Sequence, residues 1–157
     1  MTDAELQFAV ERLEARYAAA IDDDRLEEWP DFFAATCRYQ IITRENYEKK
    51  LPVGIFFANS RGMLIDRVRS LREANIYETQ HYRHILSPTL VLKRDGDWVE
   101  AQTNYQVIRT TGEGATALFS SGRYLDRILV GEPAPIFAEK IVVCDSRRID
   151  TLLAIPL

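Results

Sequence analysis

Residues 98–110, WVEAQTNYQVIRT, and 115–130, ATALFSSGRYLDRILV, decide the fold. In the first, Val99, Ala101, Thr103, Tyr105 and Val107 share one side, and Glu100, Gln102, Asn104 and Gln106 share the other. That is the alternation of a strand with one covered and one wetter face. The same alternation runs through 83–94, RHILSPTLVLKR, and 135–146, PIFAEKIVVCDS. Between these runs stand Asp95-Gly96, Thr111-Gly112-Glu113-Gly114 and Gly131-Glu132-Pro133, residues that supply the tight backbone of turns. Four long strands joined by short turns predict an antiparallel meander.

Upstream the period changes to that of a helix. Leu6, Val10, Leu13, Tyr17 and Ile21 form one stripe over residues 3–21, which Asp22-Asp23-Asp24 ends. In 24–33, DRLEEWPDFF, Asp24 stands in a capping position and Pro30 forces a kink or a fresh first turn, so a short second helix is expected. CRYQIITR, 37–44, reads as a first strand. SRGMLIDRVRSLREANIY, 60–77, reads as a third helix with Leu64, Val68 and Leu71 inward and a mixed-charge face outward. Helices followed by a long antiparallel sheet make an α+β chain in which the sheet curves around its helices as a cone. The order of elements is similar to the nuclear transport factor 2-like (cystatin-like) fold, which houses isomerases, dehydratases, binding modules and accessory subunits alike. No repeat or Pro/Gly/Ser linker interrupts the chain, so 1–157 is expected to be a single domain.

Composition excludes whole classes of function. The 20 Lys and Arg against 24 Asp and Glu give a net charge of −4, so no positive field exists to hold a nucleic acid backbone. No apolar run approaches the roughly 18 residues of a membrane span, and the charged N-terminus does not suit a signal peptide; a cytoplasmic protein is expected. The 2 Cys, Cys37 and Cys144, are read as small buried apolar residues. Together with the 2 His they cannot build a four-ligand zinc or iron–sulfur site.

Three constellations could still carry chemistry. His81 and His84 with Asp22 or Asp31 would make a two-histidine, one-carboxylate metal site, but residues three apart on an extended segment point to opposite faces. Asp22 at the end of the first helix and His84 before the long strands stand where cone-fold dehydratases and isomerases keep a general base and its orienting acid. The competing role for Asp22 is a helix-end cap. Tyr17, Tyr39, Tyr82, Tyr105 and Tyr124 would line the pocket of a small-ligand binding module, against ordinary core packing with each hydroxyl reaching a partner.

Several strings resemble a known family over nearly the whole chain. They are Ile21-Asp22 with Trp29-Pro30-x-Phe32-Phe33, Cys37-x-Tyr39, Met63-Leu64-x-Asp66-Arg67, and Leu71 to Glu78. Tyr82 to Leu86, Ser121-Gly122-x-Tyr124-Leu125-Asp126, Val143 to Ser146 and the ending Asp150 to Leu157 continue the series. Their order and spacing resemble the small (β) subunit of aromatic-ring-hydroxylating dioxygenases, the terephthalate branch first and the salicylate hydroxylase and anthranilate dioxygenase branches next. The resemblance implies a structural, non-catalytic subunit of a Rieske non-haem iron oxygenase of aromatic catabolism. The reaction implied is dihydroxylation of an aromatic carboxylate, with terephthalate as the expected substrate. No cofactor is expected on this chain. A large (α) subunit would carry the Rieske 2Fe-2S cluster and the mononuclear Fe(II), and a separate reductase would supply electrons from NAD(P)H. An α3β3 hexamer is the assembly implied. Arg67, Arg72, Tyr77, Arg83, His84, Asp150 and Leu157, which lie in the shared strings without an evident chemical duty, are the expected contacts to the large subunit or to a neighbouring β subunit.

Overall fold

The computed structural model describes residues 1–74, 79–131, 133–147 and 155–157. Helix α1 (Asp3–Asp22) starts in a capping box: Glu5 N–H donates to Thr2 Oγ1, and Thr2 N–H donates to the Glu5 carboxylate. Its buried stripe is the one read from the sequence, with Glu14, Ala18 and Ala20 added. Asp24 turns the chain with φ at 58° and caps nothing; the position before the next helix belongs to Arg25, which makes no side-chain cap. That next element is a 3₁₀ helix throughout (Leu26–Phe32), and it carries Trp29 and Pro30 into the core. Strand β1 (Phe33–Thr43) begins four residues before the sequence suggested, because Phe33 already pairs with Phe137 ahead of a bulge.

Two elements escaped the sequence reading altogether, the short helix α2 (Arg44–Glu48) and the edge strand β2 (Phe56–Ala58). Helix α3 (Arg61–Ala74) buries Leu64, Val68 and Leu71 as expected. The run 83–94 is two strands, β3 (Gln80–Leu86) and β4 (Leu90–Asp95), both lying along β5 (Trp98–Thr111). Pro88 has no N–H to give the ladder, and the strand breaks there. Strands β6 (Thr116–Leu129) and β7 (Ile136–Cys144) complete the meander.

The sheet order is β2-β1-β7-β6-β5-β3, with β4 also on β5. It is mixed where a purely antiparallel sheet was expected, since β1 runs parallel to β7. The meander delivers β7 beside β1 in the same direction, a pairing that a local reading of turns cannot reveal. Bulges in β1, β4, β6 and β7 bend the strands, and the curved sheet closes on α1, the 3₁₀ helix and α3 as the cone expected from the element order. The alternation in β5 holds residue by residue: Val99, Ala101, Thr103, Tyr105 and Val107 are buried. On the outer face a second cluster of Ile42, Ile141 and Val143 packs against Tyr47 and Leu125.

Gly122 shows how close this packing is. A Cβ placed there would stand 1.9 Å from the Val143 carbonyl oxygen and 3.1 Å from the Tyr105 ring. Gly122→Ala must therefore push two sheet strands apart, at an expected cost of about 3 kcal/mol or more. Gly96, at φ 61° with open space around it, should accept Asn within about 1 kcal/mol. Urea midpoints of the two variants check the contrast, and an unshifted midpoint for Gly122→Ala would contradict the packing described.

Candidate functional site

The last turn of α1 brings Asp22 to the free edge of β3. Asp22 Oδ2 accepts the His84 backbone N–H at 2.8 Å, and Oδ1 lies 2.6 Å from His84 Nδ1. Both side chains are almost wholly enclosed. The pair that the enzyme reading required is thus assembled: a carboxylate holds the ring by Nδ1, leaving Nε2 as the free nitrogen. Nε2 is buried and, among the described residues, has no hydrogen-bond partner. His81, on the same strand, is exposed on the opposite phase, so the two imidazoles do not converge. Among the described residues no group of three or more His, Cys, Asp or Glu is placed to hold a metal ion.

A base needs room for a substrate, and the described residues pack the interior of the cone with aromatic rings. Tyr17, Trp29, Phe33, Tyr39, Tyr105, Tyr124 and Phe137 are all buried there, meeting mostly edge to face, with Tyr105 and Tyr124 stacked at 4.8 Å. Leu157 enters from below: its oxygen accepts the hydroxyls of Tyr17 at 2.7 Å and Tyr39 at 2.8 Å, and Trp29 Nε1 donates to Tyr17. Burial raises the Tyr17, Tyr39, Tyr105 and Tyr124 hydroxyls well above their ordinary range; the first three donate, and among the described residues that of Tyr124 meets no partner. Two clefts touch the Asp22–His84 pair from outside. One lies beside Thr79, Gln80 and Tyr82, and the other lies over the small-residue face Ala15, Ala18 and Ala19 of α1.

The expected contact residues scatter. Arg67, on α3, lies over the Phe56 ring at 5.3 Å. Arg72 is occupied within the chain, clamping Asp24 at 2.9 Å and Glu27 at 2.7 Å and so tying α3 to the turn after α1. Arg83 is exposed on the outer phase of β3. His84 and Leu157 face inward, Leu157 with 1% of its surface exposed, so both serve the packing of this chain. Tyr77 and Asp150 lie outside the described residues.

The sequence reading missed the most heavily buried charges. Lys140 on β7 is fully enclosed, with Nζ 2.9 Å from Glu14 of α1 and 3.2 Å from both oxygens of Asp126 on β6. The rings of Tyr124, Phe137 and Tyr17 surround the ammonium at 3.8, 4.1 and 4.6 Å. Burial, and then the charge of Glu14, push the Asp126 carboxyl well above the usual carboxylate range. The signal was in the sequence: Asp126 is two residues from Tyr124 and Lys140 two from Val142, on the inward phase of each strand.

Comparison with known proteins agrees with this geometry. The family model "Ring hydroxylating beta subunit" matches residues 16–151. The beta 2 subunit of the terminal oxygenase component of terephthalate 1,2-dioxygenase from Comamonas sp is 42% identical over 153 residues, 98% of each chain. The small subunit of anthranilate 1,2-dioxygenase from Burkholderia cepacia is 39% identical over 156 residues, 99% of this chain and 96% of that one. A crystal structure from Novosphingobium aromaticivorans, assigned to the beta subunit of an aromatic-ring-hydroxylating dioxygenase, superposes with a TM-score of 0.91 at 36% identity, covering 98% of both chains.

The buried cluster has a pH signature. The Asp126 carboxyl keeps its proton to higher pH in the folded chain than in the unfolded one, where its pKa is about 3.9. The resulting stability is fully present below that value and is lost as pH rises towards the raised folded value. Melting temperature should therefore fall from about pH 5 to about pH 9 more steeply in the parent than in Asp126→Asn, whose neutral amide needs no proton. Lys140→Met leaves Glu14 and Asp126 buried without their cation and should cost about 3 to 5 kcal/mol. Thermal denaturation across that pH range measures both, and parallel curves for parent and Asp126→Asn would disprove the raised Asp126 carboxyl.

Proposed function

The chain belongs to the family of ring-hydroxylating β subunits, and on that premise we propose that it is the structural, non-catalytic small subunit of a Rieske non-haem iron oxygenase dihydroxylating an aromatic carboxylate. The relatives act on terephthalate and anthranilate, and the greater identity to the former makes terephthalate the substrate of choice. The observation that supports the structural reading is the packing of the described interior, where Leu157 and a shell of aromatic rings lie between α1 and the sheet.

The chain's residues do not fit the oxygenase cofactors. Cys37 and Cys144 are buried apart on β1 and at the end of β7, and His81 and His84 point to opposite faces of β3. The Rieske 2Fe-2S cluster and the mononuclear Fe(II) are accordingly assigned to the large (α) subunit that a β subunit implies, with NAD(P)H electrons arriving through a separate reductase. We place the chain, as one domain, in an α3β3 hexamer in the cytoplasm. No helix among the described residues is long and apolar enough to cross a membrane. Arg67 and Arg83 remain the surface contacts proposed to reach the large subunit or a second β subunit, while Arg72 acts by shaping the surface around Asp24 and Glu27.

A second reading, a free-standing dehydratase or isomerase, is favoured by one observation, the 2.6 Å contact of Asp22 with His84. The two readings place opposite demands on this pair. As a clasp between α1 and the sheet edge, its loss costs about 1 to 3 kcal/mol of stability. As a base and its acid, its loss removes a proton transfer worth about 10² to 10⁴ in rate. Co-expression with the large subunit should give a complex that survives gel filtration at micromolar concentration. Within it, His84→Ala and Asp22→Asn should lower the melting temperature while product formed per iron stays within about threefold of the parent. A hundredfold loss in intact, iron-loaded complex would assign the chain to the enzyme class instead.

A further inference from the structure

Among the described residues, α2 lays Tyr47 over Ile42, Ile141 and Val143 on the outer face of the sheet, and Gly54 lies against Gln40 beside them. Beyond α2 lies an open trough of about 570 Å³, lined among others by Arg44, Ile85, Asn104, Gln106, Ser121 and Arg123. The register places them: Ile85 and Ser121 both stand opposite Gln106, and Asn104 stands opposite Arg123, on the phase facing away from buried Tyr105 and Tyr124. Leu90, opposite Gln102, continues the same face, and Ile85 and Leu90 are 51% and 59% exposed. Arg83 precedes them by one outward step on β3.

Arg123 distinguishes this surface from a merely solvated one. It is half-buried, its guanidinium lies 5.9 Å from the Tyr47 ring, and among the described residues no carboxylate is within ion-pairing distance. Two other cations of the outer face have anions: Arg44 meets Glu48 at 3.0 Å and Asp145 at 3.6 Å, and Arg38 meets Glu139 at 4.0 Å, while Arg83 and Arg127 are exposed to solvent where Arg123 is half-buried. A guanidinium partly stripped of water and lacking an anion, in a chain of net charge −4, is held ready for a carboxylate from elsewhere. Side-chain amides on the floor, apolar rims and a central Arg have the composition of a protein interface.

We propose that this trough receives a carboxylate-bearing segment of the large oxygenase subunit, an inference that rests on the subunit reading above. An Asp or Glu side chain of the segment pairs bidentately with Arg123. Asn104 and Gln106 satisfy its backbone, and Ile85 and Leu90 meet its apolar side chains.

The test is association with co-expressed large subunit, followed by subunit exchange on dilution, for the parent and for Arg123→Ala, Arg123→Glu, Gln106→Trp and Arg12→Glu. Arg12 lies exposed on α1, away from the trough, and serves as the control. Arg123→Ala should weaken association about tenfold, Arg123→Glu further, and Gln106→Trp should block the trough without touching the Arg123 side chain. The control should stay within about twofold, and isolated Arg123 variants should melt as the parent does. Parent-like association of Arg123→Glu, or of Gln106→Trp, overturns the trough while leaving the subunit reading intact. A parent chain that forms no complex at all overturns the subunit reading itself.

Discussion

Lys140 cannot be where it is unless three elements meet around it. An ammonium enclosed by protein tolerates its loss of water only when carboxylates and ring faces replace that water on every side. Glu14 must come from α1, Asp126 from β6, and the rings from α1, β6 and β7. The cluster therefore fixes the rotation of α1 about its axis and the register of β6 on β7 at the same time. A slip of one residue in either would put Asp126 or Lys140 on the outer face. Such arrangements add less to stability than apolar residues of the same volume would; their effect is to make one packing the single acceptable solution.

The same economy governs the ends of the cone. At the rim, Asp22 covers the dangling N–H of an edge strand and orients His84 with its other oxygen, which protects the sheet from pairing with foreign strands. At the base, two tyrosine hydroxyls converge on one Leu157 oxygen. Among the described residues, Asp22 and His84 at the rim and Tyr17, Tyr39 and Leu157 at the base thus tie the helices and the chain's last residue to the sheet.

Elements whose signal is local were legible in the sequence. The stripe of α1, the inward face of α3 and the two faces of β5 follow from side-chain period alone. What the sequence hid was set by distance along the chain. The β1–β7 pairing joins residues about a hundred positions apart, and α2 and β2 are too short to show a period. Asp22 and His84 could be named because each ends or begins an element, and the structure joined them. Their meaning could not be read, because the filling of the cone depends on Leu157 reaching Tyr17 and Tyr39, contacts with no sequence signature. Lys140 and Asp126 were passed over because a charge inside a strand reads as an outward residue until the phase is counted.

The two cysteines gain a meaning from the company that an oxygenase subunit keeps. Reduced oxygen species that escape an oxygen-activating centre attack thiolates far faster than thiols. Cys37 and Cys144 are both buried, and burial raises both thiols above their ordinary range, so neither presents the reactive sulfur at its surface. Cys144 is further occupied in accepting the Tyr105 hydroxyl at 3.2 Å. The chain is thus chemically quiet towards peroxide where it counts, and its exposed methionines, Met1 and Met63, are the sulfurs left to oxidise first, at sites where a sulfoxide disturbs no core.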